Sequence, residues 1–295
     1  MKFLKAFHRF SSSWTGTIVI VFFLIFFVIQ SFVIPSGSMK RTMHIGDFLF
    51  AKKFSYGIPI PTLPWIQIPL VPDFNDNGHL IEGDRPQRED IVIFLYPNDN
   101  KIHYVKRCVA TGGDEIVYQD KHLYIHFLEG DEYIKKNYSA NKIKKFRGKL
   151  WVDNPYMNKY PGIQYLPDNH EPIFRLLLKK YAYSKAYGGE KIDMSPIYVS
   201  SLGGESLYKI DNIKLNNYGN PINALYKKVE DGNYYMMGDN RDNSNDSRFW
   251  GSVSYKLIIG KPWLIYFSWD NKNKTVRWSR VGTFIDDPQH DKPRY

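Results

Sequence analysis

Nineteen consecutive residues, Gly16 to Ile34, hold fifteen apolar side chains and no charge. Any fold for this chain must first decide where that run is hidden. As a helix it would be about 28 Å long at 1.5 Å per residue, close to the thickness of a bilayer's hydrocarbon. Lys2, Lys5, His8 and Arg9 precede it, and Trp14 stands at its edge. Positive residues ahead of an apolar span keep the N-terminus cytoplasmic, which would place everything after Ile34 on the extracytoplasmic side. The stretch Ile18 to Ile29 also has the length of a cleaved leader's apolar region. However, no A-x-A-like site follows it, and Pro35 sits awkwardly for cleavage. No later segment is apolar enough to span. The expectation is a cytoplasmic segment 1–13 and a single uncleaved transmembrane anchor over 14–34.

The remainder is long enough for one large or two moderate domains. Apolar residues make up 43% of the 295 and charged residues 24%, which favours an ordered chain. Its 22 tyrosines favour β structure over helical bundles. The net charge of +10 raises the question of nucleic acid. The lysines are scattered, densest from Lys142 to Lys149, and no recognition module accompanies them, so no nucleic-acid partner is expected. They read as a solvated face or as one lying beside anionic lipid. Cys108 is the single cysteine, so no intrachain disulfide can form. It reads as a packed strand residue. No Cys/His cluster has zinc spacing and no HExxH occurs, so neither metal nor cofactor is expected.

Along the chain, Ile45 to Tyr56 reads as a strand opened by a Gly46-Asp47 turn. Residues 57–86 are too rich in proline, glycine and asparagine for a regular element. They form either an extended loop or a hairpin dipping Trp65, Ile66, Ile68 and Leu70 into lipid. Asp90–Tyr96 and His103–Ala110 read as a hairpin joined at Pro97 to Asn100, closed by Gly112-Gly113-Asp114. Residues 115–230 have many strand-like runs and one helix, Pro172–Tyr187, that stops at Gly188-Gly189. They read as a second domain inserted into the first. A polar segment follows, Gly238 to Ser247, then β-like stretches at Ile258–Trp269 and Thr275–Ile285. The tail 286–295 is expected to fray. The fold expected is mainly β: a transmembrane helix, then a discontinuous domain 35–114 and 231–285 interrupted by 115–230, all antiparallel.

Pro35-Ser36-Gly37-Ser38-Met39 places a serine on a glycine turn just outside the apolar run. A serine hydroxyl needs a base to become a nucleophile. His44 and His103 lie near, and each reads more readily as structural. Lys106 is the stronger candidate, because it sits on a strand otherwise made for burial. With an ordinary pKa of about 10.4, less than about one in a thousand of such amines is free base at neutral pH. Lys106 could serve only if desolvated, unpaired with Asp or Glu, and hydrogen-bonded by neutral groups.

These stretches together resemble bacterial type I signal peptidases, also called leader peptidases. Pro35 to Met39 followed by Gly46-Asp47 is similar to their nucleophile box. Asp90 to Pro97 resembles their next strand and Tyr104-Val105-Lys106-Arg107 their lysine box, while Gly238 to Arg248 (GDNRDNSNDSR) matches their last box almost residue for residue. The resemblance implies a serine endopeptidase of the bacterial plasma membrane that removes signal peptides from exported preproteins. Ser38 would be the nucleophile and Lys106 the general base. Ser36, with the Ser38 N–H, would form the oxyanion hole, and Ser244 would orient the lysine. Asp239, Asp246 and Arg248 would support the loop. Cleavage follows small residues at the first and third positions before the cut in that family, and Ile34, Met39 and Val105 would line those pockets.

Three departures touch loop geometry. Arg41 stands where the family has proline, Glu89 where it has glycine, and Thr111-Gly112-Gly113 lacks an expected proline. Two other readings use the same residues. One is a self-cleaving Ser/Lys protease of the repressor type, which the anchor argues against. The other is an inactive membrane adaptor that binds signal peptides.

Overall fold

The computed structural model describes residues 2–63, 68–166, 173–189, 192–199 and 222–290. Two large sheets dominate it, and every strand pairing among the described residues is antiparallel. The first has 9 strands, in the order Ile29–Val33, Asp47–Lys52, Ile258–Asp270, Ile91–Tyr96, Asp99–Thr111, Asn233–Met237 and Val253–Ser254, with two short strands added to Ile258–Asp270. The second has 6 strands, drawn from Glu115–Gln119 through Ala224–Lys228. A small ribbon pairs Gly57–Pro59 with His79–Glu82.

Patterning explains the layers. Asp47, Leu49 and Ala51 are buried along Asp47–Lys52 while the residues between them are half-buried, as a one-sided strand requires. Ile91 to Phe94 are buried in succession, the mark of a strand covered on both faces. The largest core runs between the sheets, joining Val109, Tyr235 and Met237 to Tyr118, Ile125 and Phe174. Phe174 belongs to the helix Ile173–Tyr187, which ends where Gly188 and Gly189 take φ of 80° and 105°.

The apolar run departs from expectation. Helix Trp14–Phe23 continues as a π turn over Leu24–Val28, and the chain then becomes the strand Ile29–Val33. Among the described residues no helix is long and apolar enough to cross a membrane. The helical turns over 14–28 would extend about 22 Å at 1.5 Å per residue. The physical reason lies in a partner. Asp47–Lys52 offers an edge that Ile29 to Val33 completes, and Ser31 Oγ lies 2.8 Å from the Tyr266 hydroxyl. The N-terminal end is capped by Ser13, which accepts from the Gly16 N–H at 3.1 Å.

Two further expectations change. Thr275–Ile285 is not one strand but two short ones, Thr275–Val276 and Thr283–Phe284, with a 3₁₀ turn at Trp278–Arg280 between them. Residues 286–290 do not fray: Asp286–His290 is a helix with Pro288 and Gln289 buried. In the proline-rich loop Trp65 and Ile66 lie outside the described residues, while Ile68 and Leu70 are exposed. Cys108 is buried, and burial pushes its thiol pKa up, as befits an inert core residue.

Candidate active site

The loop bearing Ser38 leaves the first sheet at its edge. Ile34 N–H donates to Asp47 O and Gly46 N–H to Ile34 O, both at 2.9 Å, so the Gly46-Asp47 turn anchors the loop's base. Gly46 has φ +88°, and a Cβ there would lie 2.2 Å from Trp269 O, so glycine is required. Asp47 is buried, paired with Arg280 at 2.6 Å, and accepts from the His44 N–H. Residues Gly37–Met39 then form a single 3₁₀ turn in which Ser38 is buried.

Lys106 reaches this turn from strand Asp99–Thr111. Its Nζ donates to Ser38 Oγ at 2.8 Å and to Val105 O at 2.9 Å, and it lies 5.0 Å from the centre of the Tyr104 ring. The side chain is 4% exposed, and both hydrogen-bond acceptors are neutral. Burial lowers its pKa to about 8, against the opposing pull of the Asp246 and Asp239 charges. Neither His44 nor His103 bonds Ser38 among the described residues. Burial and the Lys53 charge lower the His103 pKa to about 4, so its imidazole is neutral at pH 7.

The third wall is the polar segment after Asn233–Met237, and its burial is explained by charge pairing. Arg107 grips Asp239 with two bonds of 2.8 Å, and Thr42 Oγ1 donates to the same carboxylate at 2.6 Å. Arg248 grips Asp246 at 2.8 and 2.7 Å and donates to Arg241 O and the Tyr118 hydroxyl. Burial alone would raise both carboxyl pKa values, but the arginine beside each brings it below the usual carboxylate value. Asn240 ties this segment to the serine turn, its N–H donating to Ser38 O at 3.0 Å and its Nδ2 to Gly37 O at 3.1 Å.

Ser36 Oγ lies 3.5 Å from Ser38 Oγ. Ser244 Oγ is buried beside Gly238 and has no hydrogen-bond partner among the described residues. A Cβ on Gly238 would come 2.3 Å from Ser244 Oγ and 2.5 Å from Ser38 O. Gly238→Ala is therefore expected to displace the serine turn, lowering stability by about 1–3 kcal/mol through overpacking. The thermal midpoint, compared with that of Gly37→Ala, where a Cβ would meet nothing nearer than 3.8 Å, checks this.

A cavity of about 320 Å³ opens over Ser38 and Lys106. Ile34, Met39 and Val105 line it, as does His103. The site also contains residues that the sequence reading passed over: Thr42, Arg107 and Asn240. Arg107 follows Lys106 directly and Asn240 lies inside the polar segment, so adjacency was the available signal for those two. Thr42 carried none. Of the departures from family pattern, Glu89 keeps the φ of +80° that glycine would take. Its carboxylate is tied to Tyr160 at 2.6 Å and to Lys159.

Residues 8–267 match the family model described as "Signal peptidase, peptidase S26". The chain is 46% identical to signal peptidase I of Helicobacter pylori, covering 95% of this chain and 94% of that one. It is 33% identical to signal peptidase I of Buchnera aphidicola subsp. Acyrthosiphon pisum, covering 88% and 78%. For signal peptidase I of Pseudomonas aeruginosa the identity is 30%, covering 93% and 78%. With most of its length matched, this chain belongs to the signal peptidase family of S26 peptidases.

Proposed function

We propose that the chain cleaves signal peptides from exported preproteins, with Ser38 as nucleophile and Lys106 as general base. The observation that carries this is the 2.8 Å bond between Ser38 Oγ and the buried Lys106 Nζ, whose two acceptors are both neutral. In the free-amine state Lys106 takes the Ser38 proton as Oγ bonds to the scissile carbonyl carbon. The carbonyl oxygen becomes an oxyanion, held by the Ser38 N–H and the Ser36 hydroxyl. The lysine ammonium then protonates the departing amine, and the peptide C–N bond breaks. A water molecule, deprotonated by the same lysine, releases the acyl group and restores Ser38.

A peptide substrate suits the cavity's wall. Strand Asp99–Thr111 pairs with Ile91–Tyr96 from Asp99 to Arg107, but Asn233–Met237 joins it only from Arg107 onward. Its other edge from 99 to 106 can therefore accept an extended chain as an added strand. Ile34, Met39 and Val105, which line the cavity, would confine the residues before the cut to small ones by overpacking larger side chains. The exposed apolar faces of the N-terminal helices, Trp14 and Ile18 among them, support a single-pass membrane attachment with the catalytic region outside the cytoplasm. Ser244, whose buried hydroxyl has no partner among the described residues, orients the lysine as a neutral group, and Asp239, Asp246 and Arg248 hold the loop. The gathering of Glu115–Gln119 through Ala224–Lys228 into one sheet supports a division with residues 115–230 inserted between 35–114 and 231–285.

The test is a purified preprotein with a small-x-small site, its product sequenced from the new N-terminus. Cleavage by the wild type at that site, lost when the residue before the cut is made bulky, is the expected result. Cleavage by Ser38→Ala at the wild-type rate would sink the assignment. Because activity needs the free amine, kcat/KM should rise with pH to a limb near the Lys106 value of about 8. A profile flat from pH 5 to 9 would exclude this lysine as the base.

A further inference from the structure

The chemistry above does not use the C-terminal segment, yet two of its residues reach the site's supports. Ile285 shares a core cluster with the cavity-lining residues Ile34 and Met39. One turn later Gln289 is buried in the helix Asp286–His290. Its Oε1 accepts from Arg107 Nη1 at 3.2 Å, and its Nε2 donates to Asp286 Oδ1 at 2.9 Å, so the amide's direction is fixed at both ends. The same Nη1 donates to Glu89 O at 2.8 Å, and the guanidinium lies 4.0 Å from the Tyr160 ring centre. Tyr160 in turn lies 5.1 Å from the His290 ring. The helix thus touches Arg107 directly and through the ring stacked on it.

From Arg107 the linkage continues to the reacting atoms. Arg107 grips Asp239, whose carboxylate accepts from Thr42 and whose N–H meets Met39 Sδ at 3.3 Å. Met39 lies in the Ser38 turn and Thr42 follows it. We propose that Gln289 is a positioning residue for the reaction, fixing Arg107 so that Asp239 holds the Ser38 turn against Lys106. This rests on the Ser38/Lys106 reading given above. Gln289 touches neither serine nor lysine; it acts through Arg107.

Charge gives the idea a readout that plain structural support would not move. Lys106 faces Asp239 and Asp246 from the polar segment and the Tyr104 ring from its own strand. Arg107 faces Asp239, Glu89 and Tyr160. Asp239 favours the lysine's proton, and Arg107 offsets that charge. A carboxylate at position 289 would draw Arg107 away from Asp239 and leave Asp239 less compensated. Lys106 would then hold its proton to higher pH. A methionine there keeps the length of the side chain but offers Arg107 no strong acceptor.

The experiment uses the full-length enzyme in detergent with one preprotein. Gln289→Met is expected to lower kcat about threefold to tenfold, the range of one hydrogen bond, with KM unchanged. Gln289→Glu should move the acid limb of kcat/KM upward by a few tenths of a pH unit. Parental kcat in the first variant together with a parental acid limb in the second would overturn the proposal. So would a fall in kcat that merely tracks the unfolded fraction seen by circular dichroism. Ser38→Ala in the same preparation separates the two ideas. If it cleaves like the wild type, the Ser38/Lys106 reading fails; if it is inactive and both Gln289 variants match the parent, only the positioning role fails.

Discussion

Lys106→Met is expected to give a protein that is more stable than the parent and no longer cuts. Loss of the general base removes roughly 10²- to 10⁴-fold of rate. Because serine and lysine act as a unit, Ser38→Ala, Lys106→Met and the double variant should fall to the same floor. The stability gain follows from linkage. Burial lowers the lysine's pKa from 10.5 to about 8, so the folded protein resists a charge that the unfolded chain accepts freely. That penalty is full below about pH 8, fades as pH rises, and is gone above 10.5. At 1.36 kcal/mol per pKa unit it is about 3 kcal/mol, partly offset in the variant by loss of the bonds to Ser38 and Val105. The thermal midpoint should therefore rise at pH 7, and the advantage should shrink toward pH 10. A Lys106→Met protein less stable than the parent at pH 7 would mean that the bonds to Ser38 and Val105 outweigh the desolvation penalty.

Some parts of the molecule can be read from the chain and others cannot. Strands such as Ile91–Tyr96 announce themselves because runs of β-branched and aromatic residues between turn formers suit a covered sheet. Helix Ile173–Tyr187 is marked by its spacing and by the two glycines that stop it. Ile29 to Val33 could not be read the same way. Apolar residues serve helix and strand alike, and the deciding partner, Asp47–Lys52, lies beyond the serine turn. Asp286–His290 is charged and contains proline, so nothing local favours burial; Arg107, 182 positions earlier, supplies the reason. Within the site, Ser38 and Lys106 drew attention through chemistry that needs an unusual lysine. Arg107 looked like one more basic residue, because its partner Asp239 is 132 positions away. Ser244 shows the opposite limit: only the family resemblance points to it, since nothing in its residue type separates a lysine-orienting hydroxyl from one packed against Gly238.

Asp246→Ala is expected to be the most destabilising single change in the loop. It strips the carboxylate from Arg248, which is fully buried with it, and removes the acceptor for the Gly238 N–H at 3.1 Å. A buried pair broken on one side typically costs about 3–5 kcal/mol, because the remaining charge is left without compensation. For a chain of this size the thermal midpoint should fall by roughly 5–8 °C. Replacing both partners, Asp246→Leu with Arg248→Met, should recover much of that loss, since removing a buried pair whole is far less harmful than halving it. The pair's stabilisation has a defined pH window. The Asp246 pKa is lowered in the folded protein, so its contribution is complete above the unfolded value of about 3.9 and is lost as pH falls through the lower folded one. Activity offers an independent check through Asp246→Asn, which keeps the shape. The Asp246 charge favours the protonated lysine, and removing it also exposes the Arg248 charge, so both changes push the Lys106 pKa down. Measured per folded molecule, the acid limb should move to lower pH even as stability falls. A limb that stayed in place would show that the loop's charges reach Lys106 only through its fold.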